Sequence, residues 1–310
     1  MLQVVTQTLY RAFGFNIKSD YELPELVTAE SYPNQADIKI RVGSLHKLWE
    51  MEAKEGQLFV VQPDRILFRI PEVAIYSVTG GSDIVVTPLE EDTDDKIRLY
   101  LLGTCMGAIM MQRKILPLHG SALEINGKAY AVVGDSGAGK STTAAALLKR
   151  GCRLVSDDVI PVTFSTNNTP LVTPAYPQQK LWQESLDSFG VSSHHLKPII
   201  DRETKFAVPV KEQFSQEVMP LAGVFEITKG NALAFQPVNK LKAVHTLFLH
   251  TYRNFFLEKS GLLEWHFNTT TRMVNQLSMF NIQRPEDRFT ADEIADFILS
   301  AAQKEELQWQ

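Results

Sequence analysis

From Thr6 to about Pro88 the chain is built of short runs in which apolar and polar positions alternate. Residues 36–42, 57–61 and 65–70 each read as a half-buried strand, because a period of two sends successive side chains to opposite faces of a sheet. Residues 74–78 and 83–86 flank Gly80-Gly81 and predict a hairpin. The exposed edges of such strands could also receive an extended peptide by strand addition. The pattern changes after the acidic run Glu90-Glu91-Asp92-Thr93-Asp94-Asp95. From Lys96 to Arg113 apolar residues occupy nearly every side of a helix, so a helix buried on most sides is expected, with carboxylates at its start.

Residues 118–125 and 129–133 are two apolar runs joined by Asn126-Gly127, the strongest two-residue hairpin signal. If Ile125 pairs with Lys128, the register sets His119 opposite Gly134. Gly134 opens Gly134-Asp135-Ser136-Gly137-Ala138-Gly139-Lys140-Ser141, which satisfies GxxxxGK[ST] at each fixed position. A buried strand precedes it, and a helix over residues 142–150 follows, capped by Gly151. That context is what the motif needs: glycines let successive N–H groups face phosphates, and the helix N-terminus adds partial positive charge. Nucleotide-binding residues are therefore expected from Gly134 through Thr142. Lys140 would reach the β- and γ-phosphates, and the Ser141 hydroxyl would ligate Mg²⁺. His119, brought beside the phosphates by the register, is a candidate catalytic group.

Residues 153–156 read as a short strand ending in Asp157-Asp158. In a doubly wound sheet, ligands sit at the carboxyl ends of strands, so this pair is expected to face the phosphates. Neighbouring strand residues point opposite ways, which gives the two carboxylates different tasks. One would hold Mg²⁺ directly or through water, and the other would accept a proton from an attacking hydroxyl. Further on, the pattern predicts a turn at 166–170, a helix at 183–189, a buried strand at 221–227 and a helix at 243–256. Thr290 and Glu293 form a capping-box signature for a last amphipathic helix. Arg202, Lys205, Arg253 and Arg272 are cations that could meet phosphate or an acidic substrate.

The 310 residues allow one large or two modest domains, and 44% hydrophobic with 22% charged residues is ordinary for a globular chain. A net charge of -5 argues against a nucleic-acid partner without excluding a basic peptide. Cys105 and Cys152 read as reduced, buried thiols. Residues 1–5 show no signal-peptide pattern, and the apolar stretch 99–111 is shorter than the roughly 20 residues that span a bilayer. A cytoplasmic location with no membrane partner is expected.

Leu118-His119-Gly120, the phosphate loop and Leu154-Val155-Ser156-Asp157-Asp158 together resemble the catalytic domain of HPr kinase/phosphorylase. In that family, and in the related phosphoenolpyruvate carboxykinases, the metal-site aspartate follows directly on the P-loop helix. The likeness covers residues 115–165 well and the rest loosely. The family's Glu-x-Arg-Gly-x-Gly loop is missing, and Leu221-Ala222-Gly223-Val224 is a faint echo of it. The N-terminal part, including Tyr10-Arg11-Ala12-Phe13-Gly14, is similar instead to HPr-kinase-like proteins of ribosomal-peptide clusters. Some of those phosphorylate a serine at the C-terminus of a lasso-peptide precursor. The resemblance implies an α/β fold, with a β-rich N-terminal accessory domain over 1–93 and an HPr kinase/PEP carboxykinase-like P-loop domain over 94–310. It implies ATP and Mg²⁺, γ-phosphoryl transfer to a serine hydroxyl, and a peptide or protein partner that carries the serine. Position by position, Asp157 would be the general base, His119 its paired residue and Asp158 the metal-side carboxylate, with Lys140 and Ser141 in their P-loop roles. An HPr-type or small-molecule kinase is the nearest alternative, and a nucleotide-dependent peptide-binding module without phosphotransfer is the alternative of another class. Assembly into a homo-oligomer stays open.

Overall fold

The computed structural model describes residues 8–29, 36–199 and 202–308; the readings at residues 1–5 and at the Arg202 side chain lie outside what is described. The chain divides into two compact units, Met1–Ile115 with Phe255–Trp265, and Leu116–Asn254 with His266–Gln310.

In the first unit the alternating runs become strands β1 (Thr8–Ala12), β2 (Phe15–Ser19), β3 (Val27–Thr28), β4 (Ile38–Val42), β5 (Phe59–Val61), β6 (Arg65–Ile70), β7 (Ala74–Thr79) and β8 (Asp83–Pro88). They form one sheet in the order β3-β1-β2-β4-β8-β7-β6-β5. Gly80-Gly81 turns β7 into β8, with Thr79 opposite Asp83. Helix α1 (His46–Glu52) lays Trp49 on Leu67 and Ile75. Phe68 and Tyr76 stack at 4.5 Å, and Phe59 meets Phe255 and Phe256 at 5.2 and 5.8 Å. The buried helix expected over 96–113 begins at Asp94 as α2 (Asp94–Tyr100), passes through a π-turn at Leu101–Cys105 and ends as α3 (Met106–Gln112). All five π-turn residues are buried. The helix is fastened inside this unit: Arg98 pairs with Glu25 at 2.9 Å, and Gln112 Oε1 accepts the Gly81 N–H at 2.7 Å. The division therefore falls after Ile115, where the sequence reading put it at 93/94.

The second unit contains β9 (Leu116–Ile125), β10 (Lys128–Gly134), β11 (Arg153–Phe164), β12 (Pro170–Val172), β13 (Gln178–Trp182), β14 (Lys197–Ile199), β15 (Arg202–Pro209), β16 (Met219–Lys229), β17 (Ala234–Pro237) and β18 (Ser278–Arg284). Its helices are α4 (Lys140–Lys149), α5 (Gln183–Ser188) and α6 (Lys240–Leu249); after the short α7 (Phe256–Lys259) of the first unit come α8 (Leu263–Val274) and α9 (Ala291–Gln308). The main sheet runs β10-β9-β11-β12-β16-β18-β17, and β16 also pairs with β10. Among the described residues of this sheet, only the β10/β16 and β16/β18 pairings are parallel. This is not the doubly wound sheet assumed for the aspartate pair, and the rule about strand carboxyl ends does not place that pair. A separate sheet, β13-β15-β14, stands beside it in sequence between β12 and β16.

Helix α4 is buried from Thr143 through Leu148, which is why its sequence lacks a polar face. Its core includes Leu123, Tyr130, Val132, Phe225, Ile282, Ile294 and Ile298. The capping box expected at α9 does not form: Thr290 Oγ1 is buried without a hydrogen-bond partner, while the Glu293 carboxylate accepts from Arg288. Arginine at 288 offers that carboxylate a charge-assisted donor, which outcompetes a backbone N–H.

Candidate active site

The hairpin forms in the expected register. Ile125 pairs with Lys128, and the ladder continues to Gly120 opposite Val133, so His119 stands level with Gly134. Gly120 is required there, because a Cβ would come 2.3 Å from the Val132 carbonyl oxygen. Gly120→Ala is expected to lower stability by about 1–3 kcal/mol, the usual cost of overpacking, measurable as a lower denaturant midpoint with an unchanged slope. Beyond Gly134, β9 changes its partner. The His119 N–H donates to the His250 carbonyl at 2.7 Å, and the Tyr252 N–H donates to the Pro117 carbonyl at 2.8 Å. This pairing ends α6 at Leu249, so the helix expected over 243–256 breaks where its backbone extends the β9 ladder.

The loop itself adopts the strand–loop–helix form. Gly134 has φ +150°, and a Cβ on it would lie 2.5 Å from the Ile227 carbonyl oxygen. Lys140 Nζ donates to the carbonyls of Gly134 at 2.8 Å and Asp135 at 3.0 Å. Arg284, at the end of β18, donates to the carbonyls of Ala138 at 2.6 Å and Gly137 at 3.0 Å. Those carbonyls are thereby turned to the arginine. Thr142 Oγ1 is bonded to Ser185 Oγ at 2.8 Å, and the Ser141 carbonyl accepts from Gln179.

Asp157 and Asp158 do not end a strand; β11 runs through them to Phe164, after a register shift between Leu154 and Ser156. Asp157 lies opposite Ser121, whose hydroxyl donates to Oδ1 at 2.6 Å, and Oδ2 accepts the Lys180 N–H at 2.8 Å. Asp158 has φ +73°, in the left-handed region. Its Oδ2 accepts from Lys180 Nζ at 2.7 Å, and its Oδ1 lies 3.4 Å from His119 Nδ1. The same Nδ1 is 3.1 Å from the Asp158 carbonyl, so it faces two acceptors and carries the proton in the neutral ring. The histidine is thus paired with Asp158, whereas the resemblance paired it with Asp157.

Electrostatics separate the two carboxylates. Burial pushes Asp157 above the usual range, against its hydrogen bonds from Ser121 and Lys180. Burial also acts to raise Asp158, but the Lys180 ammonium, with lesser contributions from His119 and Lys205, outweighs it and holds that carboxyl well below the usual range. The His119 side chain keeps 37% of its surface open, yet burial of the ring is the main effect and lowers its pKa, with Lys140 adding to it. Lys180 is driven the other way: burial disfavours its charge, but Asp158 more than compensates and keeps it protonated.

Behind this edge lies a buried polar cluster. Glu226 on β16 accepts from Asn281 Nδ2 at 3.0 Å and from His250 Nε2 at 3.3 Å, and the His250 bond is the first cause of a lowered Glu226 pKa. Its partner His250 is the residue whose carbonyl holds the His119 backbone. Sequence reasoning missed Ser121, Lys180, Glu226, His250 and Arg284. For Ser121 a signal existed, since pairing β9 with β11 puts it opposite Asp157; the others arrive from elements with no motif. Of the four candidate cations, Lys205 is brought to the site, within electrostatic reach of Lys140, His119 and both aspartates. Arg272 lies over the Phe164 ring at 3.8 Å, and Arg253 lies by Tyr252, whose ring is 5.5 Å from that of His119. Cys105 and Cys152 are buried thiols, pushed up by burial. Among the described residues no helix is long and apolar enough to cross a membrane.

Residues 111–184 match the family described as HPr Serine kinase C-terminal domain. An HPr kinase/phosphorylase of Lactobacillus gasseri is 35% identical over 108 residues, 32% of this chain and 34% of that protein. One of Bacillus licheniformis is 30% identical over 141 residues, 42% of this chain and 43% of the relative. The chain thus spans well under half the length of the curated relatives it matches. A solved Hpr(Ser) kinase/phosphatase of Coxiella burnetii aligns over 62% of this chain and 97% of its own, at 13% identity and a TM-score of 0.34. Residues 111–184, which hold His119, the phosphate loop and both aspartates, are thus similar to the HPr Serine kinase C-terminal domain and to part of HPr kinase/phosphorylase.

Proposed function

We propose that the protein is an ATP-dependent serine kinase that transfers the γ-phosphoryl group of MgATP to a serine hydroxyl of a peptide or protein. The observation that carries this reading is the His119–Asp158–Lys180 array beside the P-loop lysine. A histidine-oriented carboxylate next to a phosphate loop serves group transfer and has no purpose in a simple nucleotide binder. In the reaction, the serine oxygen forms a bond to the γ-phosphorus, the bond to the ADP oxygen breaks, and the serine proton passes to Asp158. His119 holds Oδ1 of that carboxylate and Lys180 holds Oδ2.

This reading exchanges the two aspartates relative to the sequence-based assignment. Asp157 is 4% exposed, whereas the Asp158 side chain keeps 22% of its surface open to an incoming hydroxyl; the more enclosed carboxylate suits a structural and metal-side role. Among the described residues no group of three or more His, Cys, Asp or Glu could hold a metal unaided. Mg²⁺ needs no such group, since it is commonly bound by one or two carboxylates, waters and substrate phosphates. The Ser141 hydroxyl and the Asp157 carboxylate are hard oxygen donors that fit it, and the ion would offset phosphate charge there.

The acceptor is a separate proposal, a lasso-peptide precursor with a C-terminal serine, supported by the resemblance of the N-terminal part. Its test is the intact mass of such a peptide after incubation with protein and MgATP, beside an HPr-type protein as second acceptor. One added phosphoryl group on the peptide supports both statements; addition to the HPr-type protein alone keeps the kinase and overturns the peptide. Nucleotide binding without phosphorylation of either, or of small hydroxylated metabolites, would favour the binding module.

A further inference from the structure

We propose that Lys205 is a second phosphate-binding lysine, which grips the terminal phosphate of the nucleotide from the β13-β15-β14 sheet while Lys140 grips it from the P-loop. The inference rests on the kinase reading only for the identity of the group transferred.

The placement follows from strand register. Trp182 of β13 lies directly opposite Lys205 of β15, and Lys180 opposite Ala207, with no register shift in this pair. Directly opposed residues share a face, and so do residues two apart on one strand. Lys180, Trp182 and Lys205 therefore all project from the same face. That face is fixed by Lys180, whose ammonium is on Asp158. Lys205 stands one pleat repeat further along, its ammonium 5.3 Å from the centre of the Trp182 ring. A cation over an indole keeps its charge and gains a defined direction.

The charge arrangement points to the ligand. Lys180 is matched by Asp158, while Lys140 donates to two neutral carbonyls, and β13 is tied to the loop where Gln179 Nε2 donates to the Ser141 carbonyl at 3.0 Å. A polyanion entering between the Lys140 and Lys205 ammonium groups would be attracted by both. A triphosphate carries a terminal group beyond the phosphates that the loop cradles, whereas a diphosphate lacks it. Lys205 also lies outside the segment that matches the family model, so that match assigns it nothing.

The test is calorimetric binding of MgADP and of a non-hydrolysable MgATP analogue to wild type, Lys205→Met and Lys205→Arg. In Lys205→Met the analogue is expected to bind about tenfold more weakly, the loss of one charge-assisted contact, with ADP affinity unchanged. Lys205→Arg should restore most of the preference for the analogue. Equal weakening of both nucleotides in a folded Lys205→Met, or no change in either, overturns the assignment. If Lys205→Met does not fold, failure of Lys205→Arg to prefer the analogue does so. Loss of analogue preference in a protein that phosphorylates no acceptor would leave the lysine assignment standing and remove the kinase reading.

Discussion

Asparagine in place of Asp158 is expected to reduce phosphotransfer by about 10²- to 10⁴-fold, the range that a positioned general base contributes. The substitution keeps size and shape, removes the charge and turns one acceptor oxygen into a donor amide. Lys180 then loses the carboxylate that holds it, and its side chain is only 11% exposed, so some stability should also be lost. Nucleotide affinity should change little, because the loop carbonyls, Lys140 and Arg284 are untouched. The comparison variant is Asp157→Asn. There an amide NH₂ must face either the Ser121 hydroxyl or the Lys180 N–H, both donors to the native carboxylate. The Ser121 hydroxyl can rotate to accept, so the cost falls on stability before turnover. Single-turnover rates with denaturant midpoints for both variants separate the roles. Wild-type turnover in Asp158→Asn, or a well-folded Asp157→Asn that has lost the larger share of its rate, would return the base to Asp157.

Lys140→Met should have an effect of similar size, with a different signature. Removing a preorganised donor to developing charge commonly costs about 10²- to 10³-fold in turnover. Here the lysine also ties together the carbonyls of Gly134 and Asp135, which a thioether cannot do. Both the rate and the triphosphate affinity are therefore expected to fall. A Lys140→Met protein with unaltered turnover would be incompatible with phosphoryl transfer at this loop.

What the sequence disclosed was local. The Asn126-Gly127 turn fixed a register of adjacent strands, and from it the position of His119 followed without knowledge of any other element. The phosphate loop was legible for the same reason, since strand, glycines and helix are contiguous. The aspartates were legible as a pair but not as individuals. Their difference comes from Ser121 across the sheet, and from Lys180, which reaches one of them by its backbone and the other by its side chain. Apolar periodicity tells which face of a strand is buried, but it does not tell which strand lies alongside. The reading of 243–256 as one helix failed on this point, because the His250 carbonyl and the Tyr252 N–H bond to β9, a partner far away in sequence. Lys205 was visible only as one cation among four, and the register of β13 with β15 singles it out.

The fastening of the P-loop helix has a consequence for how the chain acquires its activity. Arg150, just past α4, binds Asp292 and Asp296 of α9 at 2.8 Å, across 142 and 146 residues of sequence. Arg284 holds the loop carbonyls across 146 and 147 residues. Strand, loop and helix can be assembled locally as they leave the ribosome, but the contacts that set the posture of loop and helix arrive only after β18 and α9 have been made. A nascent chain halted before residue 284 would carry the whole motif and lack both clasps. Nucleotide retention would then report that synthesis has passed both clasps, and the motif alone would not confer it.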